Sequence, residues 1–268
     1  MLLSIITVVK DEPHGFARTR DSLLIQRGET LDREGIEWVV LDSSDDRGQI
    51  SALIGGNADT PEQHHQASDW LTPVYVWLAP AGVYPAMNEA LSRATGEYVL
   101  FLNAGDTLFN EDALDSILQL LERDQPVWMF GQVCFESESG ARIIPPPMDY
   151  PAEKAASFSR GRFPPHQGTV ARRTVLIDNG GFDTSYRITA DYAAFLRLAA
   201  QADPVITDQV LATFYEGGLS TTGWRESLTE FHRARKTIIN PRGFAGFTEW
   251  AHTVVGITKA TIYRRLKK

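Results

Sequence analysis

Leu2 to Val9 is an unbroken apolar run rich in Ile and Val, closed by Lys10, Asp11 and Glu12. Such a run predicts a strand covered on both faces, because a half-exposed strand would alternate polar and apolar side chains. A helix over about 14–26 follows, and Ile36 to Leu41 reads as a second buried strand ending at the polar tip Asp42-Ser43-Ser44-Asp45-Asp46. Strand, helix, strand and polar tip make a βαβ unit. Residues 55–68 are polar and predict a loop with a short helix, in which the pair His64-His65 reads as solvated rather than metal-binding. Val74 to Leu78 and Tyr98 to Leu102 predict two more strands, with Thr95-Gly96 as the turn before the second. Between them Met87, Ala90, Leu91 and Ala94 recur at helical spacing, and Pro85 sits near the helix start, where proline is tolerated. After Asp106, Leu114, Ile117, Leu118 and Leu121 form an i, i+3, i+4, i+7 stripe. Asn110 is its predicted cap, with Glu111 and Asp112 in the first turn.

From Val127 the pattern changes to short strands, Val127 to Phe135 and Ala141 to Ile144, followed by the break Pro145-Pro146-Pro147. This predicts a mixed sheet edge. Helical spacing returns over 189–201 through Tyr192, Phe195, Leu196 and Ala199. Residues 222–239 and 245–268 read as two further helices separated by Asn240-Pro241-Arg242-Gly243. The predicted class is α/β, a mostly parallel sheet with helices on both faces plus C-terminal helices. A chain of 268 residues, 43% hydrophobic and 22% charged, is long enough to bury such a core. The net charge of -8 argues against a nucleic-acid partner, since phosphate backbones are held by clustered Lys and Arg. The single cysteine, Cys134, excludes an intramolecular disulfide and Cys-rich zinc sites, and fits a cytoplasmic home. The opening run lacks a basic flank, so it is not expected to be a signal peptide. No stretch approaches the roughly 20 apolar residues of a spanning helix.

Ligands of open α/β sheets collect beyond the carboxyl ends of the strands. Two acidic tips lie there, Asp42 after the second strand and Asp106 after the run Tyr98 to Leu102. Asp42 beside Ser43 and Ser44 suits a carboxylate that accepts from a base or ribose, and equally a turn. Asn103 and Asp106 offer hard oxygens for Mg²⁺ or Mn²⁺, which use few protein ligands and fill the rest with phosphate and water. Asn103-Ala104-Gly105-Asp106 is also good type I turn chemistry.

The ordered series SIITVVKDE, EWVVLDSSD, GVYPAMNEALSRATGEYVLFLNAGD, HQGTVARR, GGFDTSYRITADYAAFLRLA and GGLS resembles a family 2 glycosyltransferase of the GT-A (Rossmann-like) fold, in the branch that builds bacterial surface polysaccharides. The resemblance spans about 2–240. It implies an inverting transfer from a nucleotide diphosphate sugar, most simply UDP-linked, to a glycan or lipid-linked acceptor, with Mn²⁺ or Mg²⁺ as cofactor. On this resemblance residues 1–221 form the catalytic domain, with a nucleotide-binding half over about 1–125 and an acceptor-binding half over about 126–221. Residues 222–268 form a helical extension. Thr7, Val9, Asp11, Glu12, Asp42, Asn88, Asn103, Ala104 and Gly105 are implied in donor binding, and Asp106 as the metal ligand. Asn103 and Gly105 stand where family members often carry acids. Asp191 matches the catalytic base, a carboxylate that takes the acceptor proton as the hydroxyl attacks. Without the resemblance it reads as a helix N-terminal acid. His166, Gln167 and Asp183 are implied near the donor sugar or acceptor.

Two features stand apart. Gly217-Gly218-Leu219-Ser220 reads as a hinge over the donor or as a turn before a helix. Lys259, Arg264, Arg265, Lys267 and Lys268, interleaved with Ile257, Ile262, Tyr263 and Leu266, make a basic amphipathic end. It suits peripheral contact with the inner face of an anionic membrane, or a docked helix with a solvated face. Two rival functions are a nonenzymatic nucleotide- or glycan-binding protein of the same fold, and a sugar nucleotidyltransferase. The second lacks its Gly-rich, basic phosphate loop, since VVKDEPHG follows the first strand.

Overall fold

The structure, a computed structural model, describes residues 1–34, 36–55, 62–64, 71–150, 163–215, 224–240, 251 and 253–255. The first strands are β1 (Leu3–Val9), β2 (Ile36–Asp42), β3 (Glu62–His64), β4 (Leu71–Trp77) and β5 (Tyr98–Phe101). β4, β2, β1 and β5 lie side by side and all parallel. β5 then pairs antiparallel with β9 (Thr169–Arg172), and β9 with β7 (Trp128–Glu136). The far side adds β10 (Val205–Tyr215), parallel to β7, and β6 (Thr107–Leu108), antiparallel to β10. β8 (Arg142–Ile143) pairs with the end of β7. The parallel half and the mixed edge both match the expected class.

β3 corrects one expectation. Glu62–His64 lies antiparallel on β4, with His64 opposite Val74, where a helix-bearing loop was expected. An edge strand of three residues needs no buried face, so it leaves no periodic signal. His65 lies outside the described residues, as do most of 245–268 with its basic end, and 217–220.

Residues along β1 divide between two cores. Leu3, Ile5 and Val9 enter one, while Ile6 and Val8 enter the other. α1 (Pro13–Leu24), α2 (Glu29–Glu34), α3 (Arg47–Leu53) and α5 (Ala113–Asp124) cover the first face through Phe16, Leu23, Leu31, Ile50 and Leu114. α4 (Val83–Arg93), α6 (Arg173–Asp178), α7 (Ala190–Gln201) and α8 (Trp224–Ile238) cover the second through Met87, Leu176, Phe195 and Ala234. The start of α5 is a second correction. Asp112, not Asn110, occupies the cap position, and no side chain caps it. Asn110 instead accepts from the Asp112 amide in a local turn (3.3 Å), so Glu111 and Asp112 precede the helix. Asn favours such Asx turns for the same reason that it favours caps.

Among the described residues no helix is long and apolar enough to cross a membrane. At the amino end of the sheet, buried Glu37 on β2 accepts from the Ser4 hydroxyl, the Thr95 amide (2.7 Å) and the Thr95 hydroxyl (2.9 Å). It thereby ties β1 and β2 to the α4–β5 turn. Glu37→Ala would strand these donors, so it should lower stability by about 2–4 kcal/mol in chemical denaturation. A loss under about 0.5 kcal/mol would show that the tie carries no weight.

Candidate active site

The carboxyl end of β5 runs straight into a tight turn, Asn103 to Asp106. The Asp106 amide closes it on the Asn103 carbonyl (2.9 Å), and Gly105 takes φ +102°, a conformation a side chain would strain. α1 clamps this turn from beneath. The Thr19 hydroxyl donates to the Asp106 carbonyl (2.7 Å) and accepts from the Gly105 amide (3.0 Å). Gly15 allows the approach, because a Cβ there would meet the Gly105 nitrogen at 3.1 Å and the Glu12 side chain at 2.7 Å. Glu12 caps α1 by accepting from the Gly15 amide (3.2 Å).

Across from the turn stand a short 3₁₀ turn, His166–Gly168, and the first turn of α7. Asp191 is nearly buried there. Its Oδ1 accepts from the Tyr192 amide (2.8 Å) and the Tyr84 hydroxyl (3.2 Å), while Oδ2 faces His166 Nδ1 at 3.3 Å. His166 Nε2 in turn meets Asn103 Nδ2 at 3.3 Å. With Nδ2 donating, the neutral ring carries its proton on Nδ1, toward Asp191. Gln167 Nε2 donates to Asp106 Oδ2 (3.1 Å). One connected set of side chains thus joins Asp191, His166, Asn103 and the Asp106 turn. It borders a cleft of about 1390 Å³ that also touches Glu12, Arg18, Ala104 and Gly105.

Charge in the cleft is finely held. Burial pushes the Asp106 carboxyl up to about 6, against the His166 charge and the hydrogen bonds from Gln167 and the Tyr215 amide. Burial works to lower the His166 pKa. The hydrogen bond and charge of Asp191, with the charge of Asp106, outweigh it and hold His166 above the ordinary histidine value. Burial first, and Asp191 second, raise the Tyr84 hydroxyl far above its usual range, so it remains a donor.

A divalent cation fits the turn in one respect. Asn103 Oδ1 is buried without a hydrogen-bond partner, and Asn103 and Asp106 line the same cleft. Among the described residues no three His, Cys, Asp or Glu side chains gather as a metal cluster. Two hard oxygens suffice for Mg²⁺ or Mn²⁺ when phosphates complete the shell.

Several predicted residues lie off the cleft. Asp42 is fully buried, with Oδ1 accepting from the Ser44 amide (2.8 Å) and Oδ2 from the Tyr75 hydroxyl (2.7 Å). Thr7 donates to the Leu102 carbonyl (2.7 Å) and accepts from Trp38 Nε1 (2.9 Å), fixing β1 against its neighbours. Val9 is core. Asp11, at φ +53°, accepts from the Asp45 amide, tying two strand tips together. Asn88 clasps the Phe182 backbone through both its amide atoms (2.7 and 2.8 Å). Asp183 is exposed and closes a turn on the Ser185 amide. Tyr84, Thr19 and Arg18 are site residues that the sequence reading passed over. Tyr84 had a signal, as a large hydroxyl-bearing ring one residue into a helix that faces the strand tips.

Removing the Thr19 hydroxyl leaves a buried amide and carbonyl of the turn unpaired. Thr19→Val should therefore lower stability by about 1–3 kcal/mol, with Thr19→Ser near wild type, both read by urea denaturation. Equal effects of the two variants would show that the hydroxyl is idle.

The pattern described as Glycosyl transferase family 2 matches residues 4–180. The glycosyltransferase Rv1514c of Mycobacterium tuberculosis is 26% identical over 223 residues, covering 82% of this chain and 77% of that protein. S. aureus TarS 1-349, solved in complex with UDP, superposes with a TM-score of 0.62 at 17% identity, over 89% of this chain. The chain spans 66% of that structure. The mannosyltransferase PcManGT from Pyrobaculum calidifontis, solved with GDP-Man and Mn²⁺, gives a TM-score of 0.59 at 17% identity, over 97% of this chain and 75% of PcManGT. At these identities the two structures establish the shared α/β fold, the GT-A architecture expected from the sequence. With its sequence matched over more than half its length, the chain belongs to glycosyl transferase family 2.

Proposed function

We propose that this protein is an inverting glycosyltransferase that moves a sugar from a nucleoside diphosphate sugar, with UDP the first candidate, to a glycan or lipid-linked acceptor. The observation that carries the reading is the facing arrangement in one cleft of the Asn103 to Asp106 turn and Asp191. The neighbours solved with UDP, and with GDP-Man and Mn²⁺, support a nucleotide-sugar donor.

On this reading the diphosphate lies against the turn. Asn103 Oδ1 and Asp106 would hold Mn²⁺ or Mg²⁺, which supplies Lewis-acid stabilisation of the departing diphosphate. Arg18 lines the cleft beside the turn, its guanidinium 5.0 Å from the centre of the Tyr215 ring, and offers a charge-assisted donor to phosphate oxygens. Asp191 acts on the acceptor. The Tyr192 amide anchors its Oδ1, and Oδ2, which faces His166 Nδ1 at 3.3 Å, keeps a lone pair to take the hydroxyl proton. As the acceptor oxygen bonds to the anomeric carbon, the carbon–oxygen bond to the diphosphate breaks, and the electron pair leaves with the nucleoside diphosphate. Attack from the face opposite the leaving group inverts the centre. His166 orients Asp191 and keeps the Asn103 side chain in register with it.

Phe130, Pro146, Met148, Phe163, Phe214 and Phe231 give part of the cleft wall an apolar lining. Such a wall suits the flat faces of sugar rings or the apolar stem of a lipid carrier.

Asp191→Asn should retain nucleoside diphosphate binding while turnover falls about 10²- to 10⁴-fold, measured as release of UDP or GDP from the respective sugar nucleotides. Proton NMR of the product should show the opposite anomeric configuration to the donor. Wild-type turnover in Asp191→Asn, or a retained configuration, would remove the proposed base.

A further inference from the structure

α7 carries Asp191, yet no side chain of its own cap residue, Thr189, bonds to its first turn. The support comes from elsewhere. Glu230, on α8, is buried, and its carboxylate receives three consecutive amides of the segment that leads into α7. Arg187 N donates to Oε1 (2.7 Å), while Ile188 N (2.9 Å), Thr189 N (3.0 Å) and the Thr189 hydroxyl (3.1 Å) all converge on Oε2. Successive amides pointing to one side form a concavity that an anion fills, and a carboxylate placed there also complements the positive end of the helix.

The opposite side of the same segment is held by Tyr84, whose hydroxyl donates to the Ile188 carbonyl (2.6 Å) and reaches Asp191. α8 adds further grips. Arg233 donates to the Ser185 carbonyl (2.6 Å) and lies over the Tyr186 ring (4.0 Å), and Phe231 meets Tyr192 edge-on with centroids 4.7 Å apart. Ser227, Leu228 and Phe231 of α8 line the cleft itself. All of α8, Glu230 included, lies outside 4–180, the stretch matched by the family pattern.

We propose that Glu230 is a positioning residue for sugar transfer. Its carboxylate fixes the backbone of 187–189 so that Asp191 presents Oδ2 to the acceptor hydroxyl, which makes α8 part of the active site rather than an appendage. The proposal rests on the reading of Asp191 as base. A displacement of about 1 Å at a reacting group can cost about 10²-fold in rate, so the tie has kinetic weight without touching substrate.

Full-length Glu230→Ala and Glu230→Gln, alone and combined with Asp191→Asn, test it. Hydrogen exchange of the 187–189 amides should quicken by about tenfold in Glu230→Ala, with β1 and β5 unchanged. Release of UDP from UDP-GlcNAc and of GDP from GDP-mannose should show kcat reduced by about 10²-fold and donor KM within about twofold. Glu230→Gln keeps an acceptor oxygen but loses the charge and one amide partner, so it should fold normally and fall between. On the Asp191→Asn background either variant should cost nothing more in kcat, because Glu230 acts through Asp191. Unchanged exchange at 187–189, or losses that multiply across the two sites, would overturn the proposal. So would wild-type kcat in Glu230→Ala beside an inactive Asp191→Asn. Wild-type turnover in Asp191→Asn would overturn the base assignment, and the positioning role with it.

Discussion

The central strands of this protein are buried on both faces, and that constraint arranges everything else. β1, β2 and β5 have no solvent side on which to display chemistry, so their polar residues emerge only where the strands stop. There α1 closes in through Gly15 and Thr19, and the chain turns sharply at Asn103 to Asp106. The turn is rigid because its backbone groups are paired from below. Within it Asn103 Oδ1 is buried without a hydrogen-bond partner, and Asn103 shares the cleft with Asp106.

The second half supplies the opposing wall by reversing strand direction. β9 runs antiparallel to β5, and this brings the His166–Gly168 turn over the end of the parallel sheet. His166 then spans the gap between Asn103 and Asp191 with its two ring nitrogens. Position on one wall is thereby coupled to position on the other. α8 completes the support by holding the segment before Asp191 from outside.

The parallel half was legible because buried strands write unbroken apolar runs, as in Leu3–Val9 and Ile36–Asp42, and because α5 carries a clean stripe. Asp106, Asp191, His166 and Gln167, named from sequence, do come together. β10 was hidden. Its middle, Thr207-Asp208-Gln209, is polar, and its register with β7 shifts there, so no period-2 run survives. β6 is only two residues long, and β9, Thr169–Arg172, sets just Val170 and Ala171 side by side, so neither writes an apolar run. Asp42 reads as an open strand tip, but the Tyr75 hydroxyl closes over it from β4, a pairing across 33 residues that no local pattern encodes. Glu230 left a faint trace. It shares the buried face of its helix with Ser227 and Ala234, and an acid on a buried stripe demands a partner.

The central claim is that the Asn103 to Asp106 turn receives a nucleoside diphosphate together with a divalent cation. Isothermal titration of UDP and GDP, with and without Mn²⁺, into the wild-type protein and Asp106→Ala tests it most directly. The account predicts that one diphosphate binds with a strong dependence on Mn²⁺, and that Asp106→Ala abolishes this dependence. Binding of neither nucleotide, or manganese-dependent binding that survives in Asp106→Ala, would contradict it.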